Sequence, residues 1–256
     1  MQTDRKAGET CNIFGVNVAV TNMEQVVLAT CDNIDNLRGQ YYCVCNVHTL
    51  VMAADEKRYR KVQNCAALVL PDGAPLSKLS RLWGYSQASR VTGPDLMEQL
   101  FKQSEKDKTL RHFFYGATQE TLDALQAVLT EKYPNMVIAG MYSPPFRQLT
   151  REEDAKVIDM INQSGANLIW VGLGAPKQEI WMYQHRNKLQ GLMIGVGAGF
   201  NYHAGLLERA PQWMQRHSLE WLFRLLQEPG RLWKRYLQTN VRFAIYALKE
   251  TVQRKK

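Results

Sequence analysis

The feature of this chain that most restricts its fold is an alternation of short, continuously apolar runs with segments of helical periodicity. The stretch RHFFYGATQETLDALQAVLTEKYP (111–134) shows the alternation most clearly. Its run FFY ends at Gly116, and leucines then recur at helical spacing from Leu122 to Leu129. Short apolar runs of this kind are typical of strands that are buried on both faces. The pattern therefore predicts a mostly parallel sheet with helices packed against it.

The same alternation continues along most of the 256 residues. The start of the chain predicts a hairpin with a turn near Gly15. Strands are predicted at 41–47, 66–70, 113–115, 136–140, 167–171 and 192–200. Helices are predicted from Thr21, between Gly116 and Tyr133, and at 49–63, 94–106, 152–165 and 176–189, whereas 77–91 has a basic and less regular sequence. The predicted fold class is α/β, a mostly parallel Rossmann-like sheet flanked by helices, with a C-terminal helical basic appendage. We expect a core over 1–204, with a sub-boundary near 107, and the appendage over 205–256.

Charge is unevenly distributed between these two segments. The whole chain has a net charge of +8, and residues 201–256 hold eleven Lys or Arg and four Asp or Glu, a net charge of +7. A solvated basic tail would account for this, but its concentration in one segment favours an anionic partner such as a phosphate, a nucleic acid or a membrane surface. The five cysteines lack CxxC spacing and are interpreted as small buried side chains in a reducing cytoplasm. The sequence shows neither a secretory signal nor a membrane-spanning run.

Several common active-site motifs are absent from the sequence. It contains no GxxxxGK[ST] loop, GxSxG elbow or HExxH helix. The glycine-rich stretches GLGAPK (172–177) and GVGAGF (195–200) both depart from the dinucleotide fingerprint, so a nucleotide- or dinucleotide-binding oxidoreductase is kept as an alternative function. No Asp-x-Asp pair is present to hold a divalent metal against a nucleotide diphosphate. The residues therefore predict neither a metal site nor a cofactor.

Polar residues follow several predicted strands at the point where each strand ends. Asn46 and His48 follow one strand, Asp72 follows the next, and Gln178 and Glu179 follow the strand at 167–171. The carboxyl ends of parallel strands share one edge, which is the usual ligand crevice of α/β proteins. A carboxylate there could act as a general base. Asp72 is equally consistent with a simple turn, Gln178 and Glu179 with the polar first turn of a helix, and His48 with a structural histidine.

The sequence resembles the WecG/TagA/CpsF family of bacterial glycosyltransferases in several motifs that occur in order along nearly the whole chain. These are NVHTLVMA (46–53), LVLPDGAPL (68–76), RVTGPDL (90–96), VGLGAPKQEIW (171–181), GVGAGFNYHAG (195–205) and RAPQWMQRHSLEWLFRLLQEP (209–229). The resemblance implies inverting, metal-independent transfer of a sugar from a UDP-sugar to a polyprenyl-diphosphate-linked GlcNAc-type acceptor, in the synthesis of teichoic acid or another surface polysaccharide. N-acetylmannosamine, its uronic acid and glucose are all compatible donor sugars, with the first favoured. The oligomeric state is left open.

The resemblance also implies roles for individual residues. Asp72 is the expected base, and Asn46, Arg90 and Gln178 are expected to contact the sugar or the acceptor. The expected ligands of the diphosphate are the appendage arginines Arg209, Arg224, Arg231 and Arg235. Glycines that would let the backbone approach the nucleotide are Gly172, Gly174, Gly195 and Gly197. Some family members carry a threonine two residues before the asparagine, where this chain has Val44, which leaves a hydroxyl contact at that position open.

The appendage adds an expectation about location. Its aromatic and aliphatic residues alternate with Arg and Lys between 219 and 249. A docked helix pair with a solvated basic face would show this pattern, as would an amphipathic element at anionic lipid headgroups. We expect a cytoplasmic protein that associates peripherally with the inner face of the membrane. A nucleic-acid-binding module is the second alternative, because interleaved basic and aromatic residues also suit single strands.

Overall fold

The structure is a computed structural model that describes residues 8–216 and 219–254, without the side chains of Gln212, Arg216, Arg231 and Arg235. The strands are β1 (Thr10–Ile13), β2 (Val16–Ala19), β3 (Tyr41–Cys45), β4 (Leu68–Pro71), β5 (Arg111–Gly116), β6 (Val137–Tyr142), β7 (Leu168–Gly172) and β8 (Leu192–Gly195). The helices up to β7 are α1 (Met23–Asp32), α2 (Val47–Asp55), α3 (Lys57–Asn64), α4 (Ala74–Leu82), α5 (Gly93–Ser104), α6 (Gln119–Lys132) and α7 (Arg151–Gln163). The remaining helices are α8 (Lys177–His185), α9 (Gly199–His203), α10 (Gln212–Arg216), α11 (Glu220–Gln227) and α12 (Pro229–Arg254).

The sheet confirms the predicted α/β class. In the described part of the chain, β1 and β2 form an antiparallel hairpin, and a six-stranded sheet has the order β4-β3-β8-β7-β5-β6. The pairs β3–β8, β8–β7, β7–β5 and β5–β6 are parallel. In register, Ile169 of β7 lies between Phe113 of β5 and Met193 of β8. All three side chains are buried, as expected for strands that are covered on both faces.

Polar residues before the helices explain where several of them begin. Asn46, Thr92, Thr118 and Thr150 are the N-caps of α2, α5, α6 and α7. In each case the side-chain oxygen accepts a hydrogen bond from the backbone N–H three residues later. That bond satisfies one of the donors that a helix leaves unpaired in its first turn.

The described residues form two compact units. The first contains the described parts of Met1–Met23, Cys45–Val91 and Arg209–Lys256, and the second contains Glu24–Val44 and Thr92–Glu208. The predicted division into a core over 1–204 and an appendage over 205–256 stays a prediction.

An aromatic cluster forms the core of the second unit. Phe101 of α5 packs with ring centroids 5.7 Å from Trp170 of β7 and 6.0 Å from Phe114 of β5. His112 is completely buried beside them, where its Nδ1 accepts a hydrogen bond from Trp170 Nε1 at 2.9 Å and its Nε2 lies 2.6 Å from Ser104 Oγ. Burial lowers the pKa of His112 to about 3, so the ring is neutral.

In the first unit, the C-terminal helix α12 packs against the β1–β2 hairpin. Phe14, at the hairpin turn, makes edge contacts with the rings of Phe243 and Tyr246, each with centroids 5.6 Å apart. The carboxylate of Asp55, at the end of α2, accepts hydrogen bonds from Arg242 and from Tyr246, both at 2.6 Å. The described part of the predicted appendage is therefore a packed element of this unit.

Three local predictions were wrong. The segment 192–200 was predicted to be one strand, but β8 ends at Gly195 and helix α9 begins at Gly199. The segment 49–63 is two helices, because the backbone is extended at Glu56, between α2 and α3. The segment 77–91, predicted to be basic and less regular, begins inside helix α4, which ends at Leu82, has Pro75 in its first turn and buries Leu76 and Leu79. Short apolar faces of this kind are difficult to recognise among serines and basic residues.

Candidate functional site

Two backbone hydrogen bonds in the first unit bring three of the predicted site residues into one neighbourhood. The N–H of Asp72 donates to the carbonyl of Cys45 at 2.8 Å, so Asp72 lies beside the start of the Asn46 cap. The N–H of Val91 donates to the carbonyl of Pro71 at 2.9 Å, which places Arg90 next to the same turn. The grouping that the strand-end argument predicted for Asn46 and Asp72 is thus present, with Arg90 added from a loop.

Asn46 has a structural role that the sequence did not reveal. Its Oδ1 accepts hydrogen bonds from the N–H groups of His48 at 3.0 Å and Thr49 at 3.2 Å. The hydroxyl of Thr49 in turn accepts a bond from the Asn46 N–H at 2.9 Å, which completes a capping box. The cap uses the side-chain oxygen, so the Nδ2 group is the part of Asn46 with which a ligand could bond.

Asp72 lies in a sharp turn between β4 and α4. Gly73 follows it with φ of 90°, a conformation that favours glycine, and α4 begins one residue later. The Asp72 side chain is half-buried, just before the N-terminus of that helix. Helix N-termini favour anionic groups because their unpaired N–H groups point outward. The position therefore suits a carboxylate.

Arg90 forms an ion pair with the appendage. Its Nη1 lies 2.9 Å from Oε2 of Glu220, in the first turn of α11, and both side chains are only 23% exposed. Glu220 was missed in the sequence analysis because nothing in the local sequence connects residues that are 130 positions apart. The pair shows directly that α11 reaches the neighbourhood of Asp72.

The appendage arginines are only partly described. Arg209 donates from Nη2 to Gln215 Oε1 at 3.4 Å, and Arg224 is half-buried on α11. The side chains of Arg231 and Arg235 lie outside the described part of the chain. Arg209 and Arg224 belong to the same unit as Asn46, Asp72 and Arg90. Their contact with a diphosphate stays a prediction.

Gln178 lies in the second unit, where it links two loops. It is 4% exposed, and its Oε1 accepts hydrogen bonds from the N–H groups of Gly174 at 3.2 Å and Gly197 at 3.0 Å. Its Nε2 donates to Oε1 of Glu179 at 2.9 Å, and Glu179 is completely buried. The sequence presents Gln178 and Glu179 as a polar first turn of a helix, but the structure buries both of them beneath the loops that follow β7 and β8.

The four predicted glycines of this unit fall into two groups. A Cβ at Gly172 would lie 2.9 Å from the ring of Phe200, and one at Gly195 would lie 3.0 Å from Gln178 Nε2, so both positions are needed for packing. Gly174 and Gly197 have φ of 75° and 53°, and a Cβ at either would meet no atom closer than 3.7 Å. Of the four predicted glycines, Gly174 and Gly197 are therefore the two at which the backbone is open to a ligand.

Within residues 8–216 and 219–254, no cluster of three or more His, Cys, Asp or Glu side chains is arranged to hold a metal ion. No helix in those ranges is both long and apolar enough to span a membrane.

Comparison with known proteins shows similarity along most of the chain. Residues 11–256 match the sequence model of the "Glycosyl transferase WecG/TagA/CpsF family". An N-acetylglucosaminyldiphosphoundecaprenol N-acetyl-beta-D-mannosaminyltransferase from Bacillus subtilis (strain 168) is 32% identical over 87% of this chain and 84% of its own length. Proteins of the same name from Bacillus spizizenii and Staphylococcus aureus (strain MW2) are 33% and 30% identical, over 80% and 88% of this chain and 77% and 85% of their own lengths.

Proposed function

The chain belongs to the WecG/TagA/CpsF family and is a glycosyltransferase, and from this premise we propose that it transfers N-acetylmannosamine from a UDP-sugar to a polyprenyl-diphosphate-linked N-acetylglucosamine. The acceptor and the transferred sugar are those in the names of its relatives, and the family resemblance implies a role in teichoic acid synthesis. The observation that carries the proposal is the grouping of Asn46, Asp72 and Arg90 by the Cys45–Asp72 and Pro71–Val91 backbone bonds.

In the proposed reaction, the carboxylate of Asp72 accepts the proton of the acceptor hydroxyl. The hydroxyl oxygen forms a bond to the anomeric carbon of the donor sugar, and the bond from that carbon to the diphosphate oxygen breaks. Attack from the face opposite the leaving group inverts the configuration. The electron pair leaves with UDP, and this developing negative charge must be stabilised.

Positive groups of the protein supply that stabilisation in the proposal, without a metal ion. Arg209, Arg224, Arg231 and Arg235 are the candidate ligands, because the planar guanidinium binds phosphate oxygens bidentately. The open loops at Gly174 and Gly197, each of which lies between a strand and the start of the next helix, would bind the nucleotide through backbone contacts. In the proposal, Asn46 (through its Nδ2 group), Arg90 and Gln178 contact the sugar or the acceptor. Gln178 also holds the two loops in place.

The test of the base is Asp72→Asn, assayed with UDP-N-acetylmannosamine and a short-chain lipid-diphosphate-GlcNAc acceptor. General bases contribute about 10²–10⁴-fold to rate, so kcat should fall by that factor while the Kd for UDP changes little. Asp35→Asn, at an exposed aspartate of the second unit, is the matched control and should retain activity. Turnover by Asp72→Asn at the wild-type rate would remove Asp72 as the base.

Three further assays test the rest of the mechanism. Activity should survive EDTA, and inhibition that Mg²⁺ or Mn²⁺ reverses would refute the metal-independent step. Product anomers, read by NMR, should show inversion. A panel of UDP-sugars tests the donor, and efficient use of UDP-glucose in place of UDP-N-acetylmannosamine would reassign the sugar.

Peripheral association with the cytoplasmic membrane surface is also proposed, on the basis of apolar side chains exposed in the basic appendage. Trp213, Trp221, Leu226 and Trp233 are 58%, 42%, 71% and 49% exposed. Aromatic and aliphatic residues among cations are typical of helices that lie in the membrane interface. Leu226→Glu should weaken sedimentation with anionic vesicles, whereas Leu82→Glu, at a leucine that is 67% exposed outside the appendage, should not. Equal effects of the two substitutions would contradict the proposal.

A further inference from the structure

The ion pair between Arg90 and Glu220 places a carboxylate on an arginine that the proposed function assigns to substrate. Arg90 is held from both sides, since Ser89 N–H donates to Thr21 O and Val91 N–H donates to Pro71 O, both at 2.9 Å. The guanidinium is therefore tied to a fixed part of the backbone. Glu220, in contrast, reaches it from the first turn of α11, an eight-residue helix of the appendage.

Electrostatics make this pair incompatible with an anion on the same side of Arg90. The ion pair of a guanidinium and a carboxylate has no net charge as a whole, so it attracts an approaching diphosphate more weakly than the guanidinium alone would. A phosphate that shared Arg90 with Glu220 would also place two negative charges close together, which is unfavourable in a site where both side chains are largely shielded from water. A phosphate group and Glu220 should consequently compete for Arg90.

We propose that Glu220 is a positioning residue that occupies Arg90 in the free enzyme and is replaced there by a phosphate group of the substrate. The inference rests on the proposed function, because it takes Arg90 to be a substrate contact. The exchange would couple substrate binding to the appendage, since it breaks the contact that joins α11 to the turn at Asp72. Arg224 lies one turn after Glu220 on the same helix, so the exchange also changes where this arginine is held.

Isothermal titration with UDP and with inorganic pyrophosphate tests the competition. Partly exposed ion pairs are worth a factor of about two to five, so Glu220→Gln should lower the Kd of at least one of these anions by about that factor. Glu228→Gln is the matched control, because it removes the same charge from the other end of α11. Circular dichroism of both variants establishes that they are folded.

Trp221 reports the same event by fluorescence, because it is adjacent to Glu220 and 42% exposed. Its signal is the difference between the wild type and Trp221→Phe, each with and without UDP. UDP should change this signal in the wild type, and Glu220→Gln should show much of that change before UDP is added.

The outcomes separate the two proposals. If either anion binds and the Kd values of Glu220→Gln for UDP and for pyrophosphate are no lower than those of Glu228→Gln, the exchange is refuted and the proposed function is not affected. If the wild type and Glu220→Gln bind neither UDP nor pyrophosphate, both proposals are refuted.

Discussion

Gln178 offers a test of whether its role is to hold two loops together or only to contact a substrate. The perturbation is Gln178→Leu, which keeps a similar side-chain volume and removes both polar ends. The N–H groups of Gly174 and Gly197 lose their shared acceptor, and Glu179 loses the Nε2 donor. A substrate contact alone would leave the free energy of unfolding unchanged.

The magnitude follows from the burial of each partner. The two glycines are half-buried, so water partly replaces the lost acceptor, and each bond is worth about 1 kcal/mol. Glu179 is completely buried and loses a donor to a carboxylate, which costs about 1–3 kcal/mol. The total loss should be about 3–5 kcal/mol. For a chain of this size, each kcal/mol lowers Tm by about 2–4 °C, so even a loss of 3 kcal/mol corresponds to about 6–12 °C.

Differential scanning fluorimetry and urea unfolding followed by circular dichroism measure this loss. Gln184→Leu is the matched control, because Gln184 is exposed on the same helix, α8, and should change Tm little. The reasoning would be refuted if Gln178→Leu melted within about 1 °C of the control. Loss of activity together with an unchanged Tm would show that Gln178 acts on the substrate alone.

Three other predictions concern stability. Because burial lowers the pKa of His112 to about 3 from 6.5, the unfolded chain binds a proton first as pH falls, so this group should cost about 2 kcal/mol of stability between pH 7.5 and pH 5. Urea unfolding at both pH values should show that loss reduced in His112→Asn, and an equal loss in both proteins would contradict the prediction. Phe14→Ala should lower the free energy of unfolding by about 1–3 kcal/mol, because each edge contact with Phe243 and Tyr246 contributes about 0.5–1.5 kcal/mol beyond burial. Removing residues 205–256 should abolish activity and vesicle binding and also lower Tm, because Phe14 of the hairpin loses the rings of Phe243 and Tyr246. An unchanged Tm would show that the contacts between the hairpin and α12 contribute nothing to stability.

Local periodicity was enough to predict the class of fold. The sheet strands β3–β8 lie within or close to the predicted runs. The most deeply buried ones, such as β3 and β7, were recognised because a strand that is covered on both faces must be apolar over its whole length. The hairpin around Gly15 and helices such as α6 and α7 were also recognised from local sequence. A turn residue and a repeating apolar face are both patterns of residues that lie close together in the chain. The polar residues Asn46 and Asp72, which follow two of the strands, could also be recognised from the sequence.

The sequence by itself determined the α/β alternation, the polar residues at the strand ends and, through its motifs, the family. Tertiary structure alone decided that Glu220 pairs with Arg90 and that Gln178 links the loops at Gly174 and Gly197. It also decided that Asp55, at the end of α2, pairs with Arg242 of α12. Apart from the bond between Gln178 and Gly174, which are four positions apart, these contacts join residues that are distant along the chain, and the side chains involved are polar. Hydrophobic periodicity records which face of an element is buried, but it does not record which distant polar partner compensates a buried charge or amide.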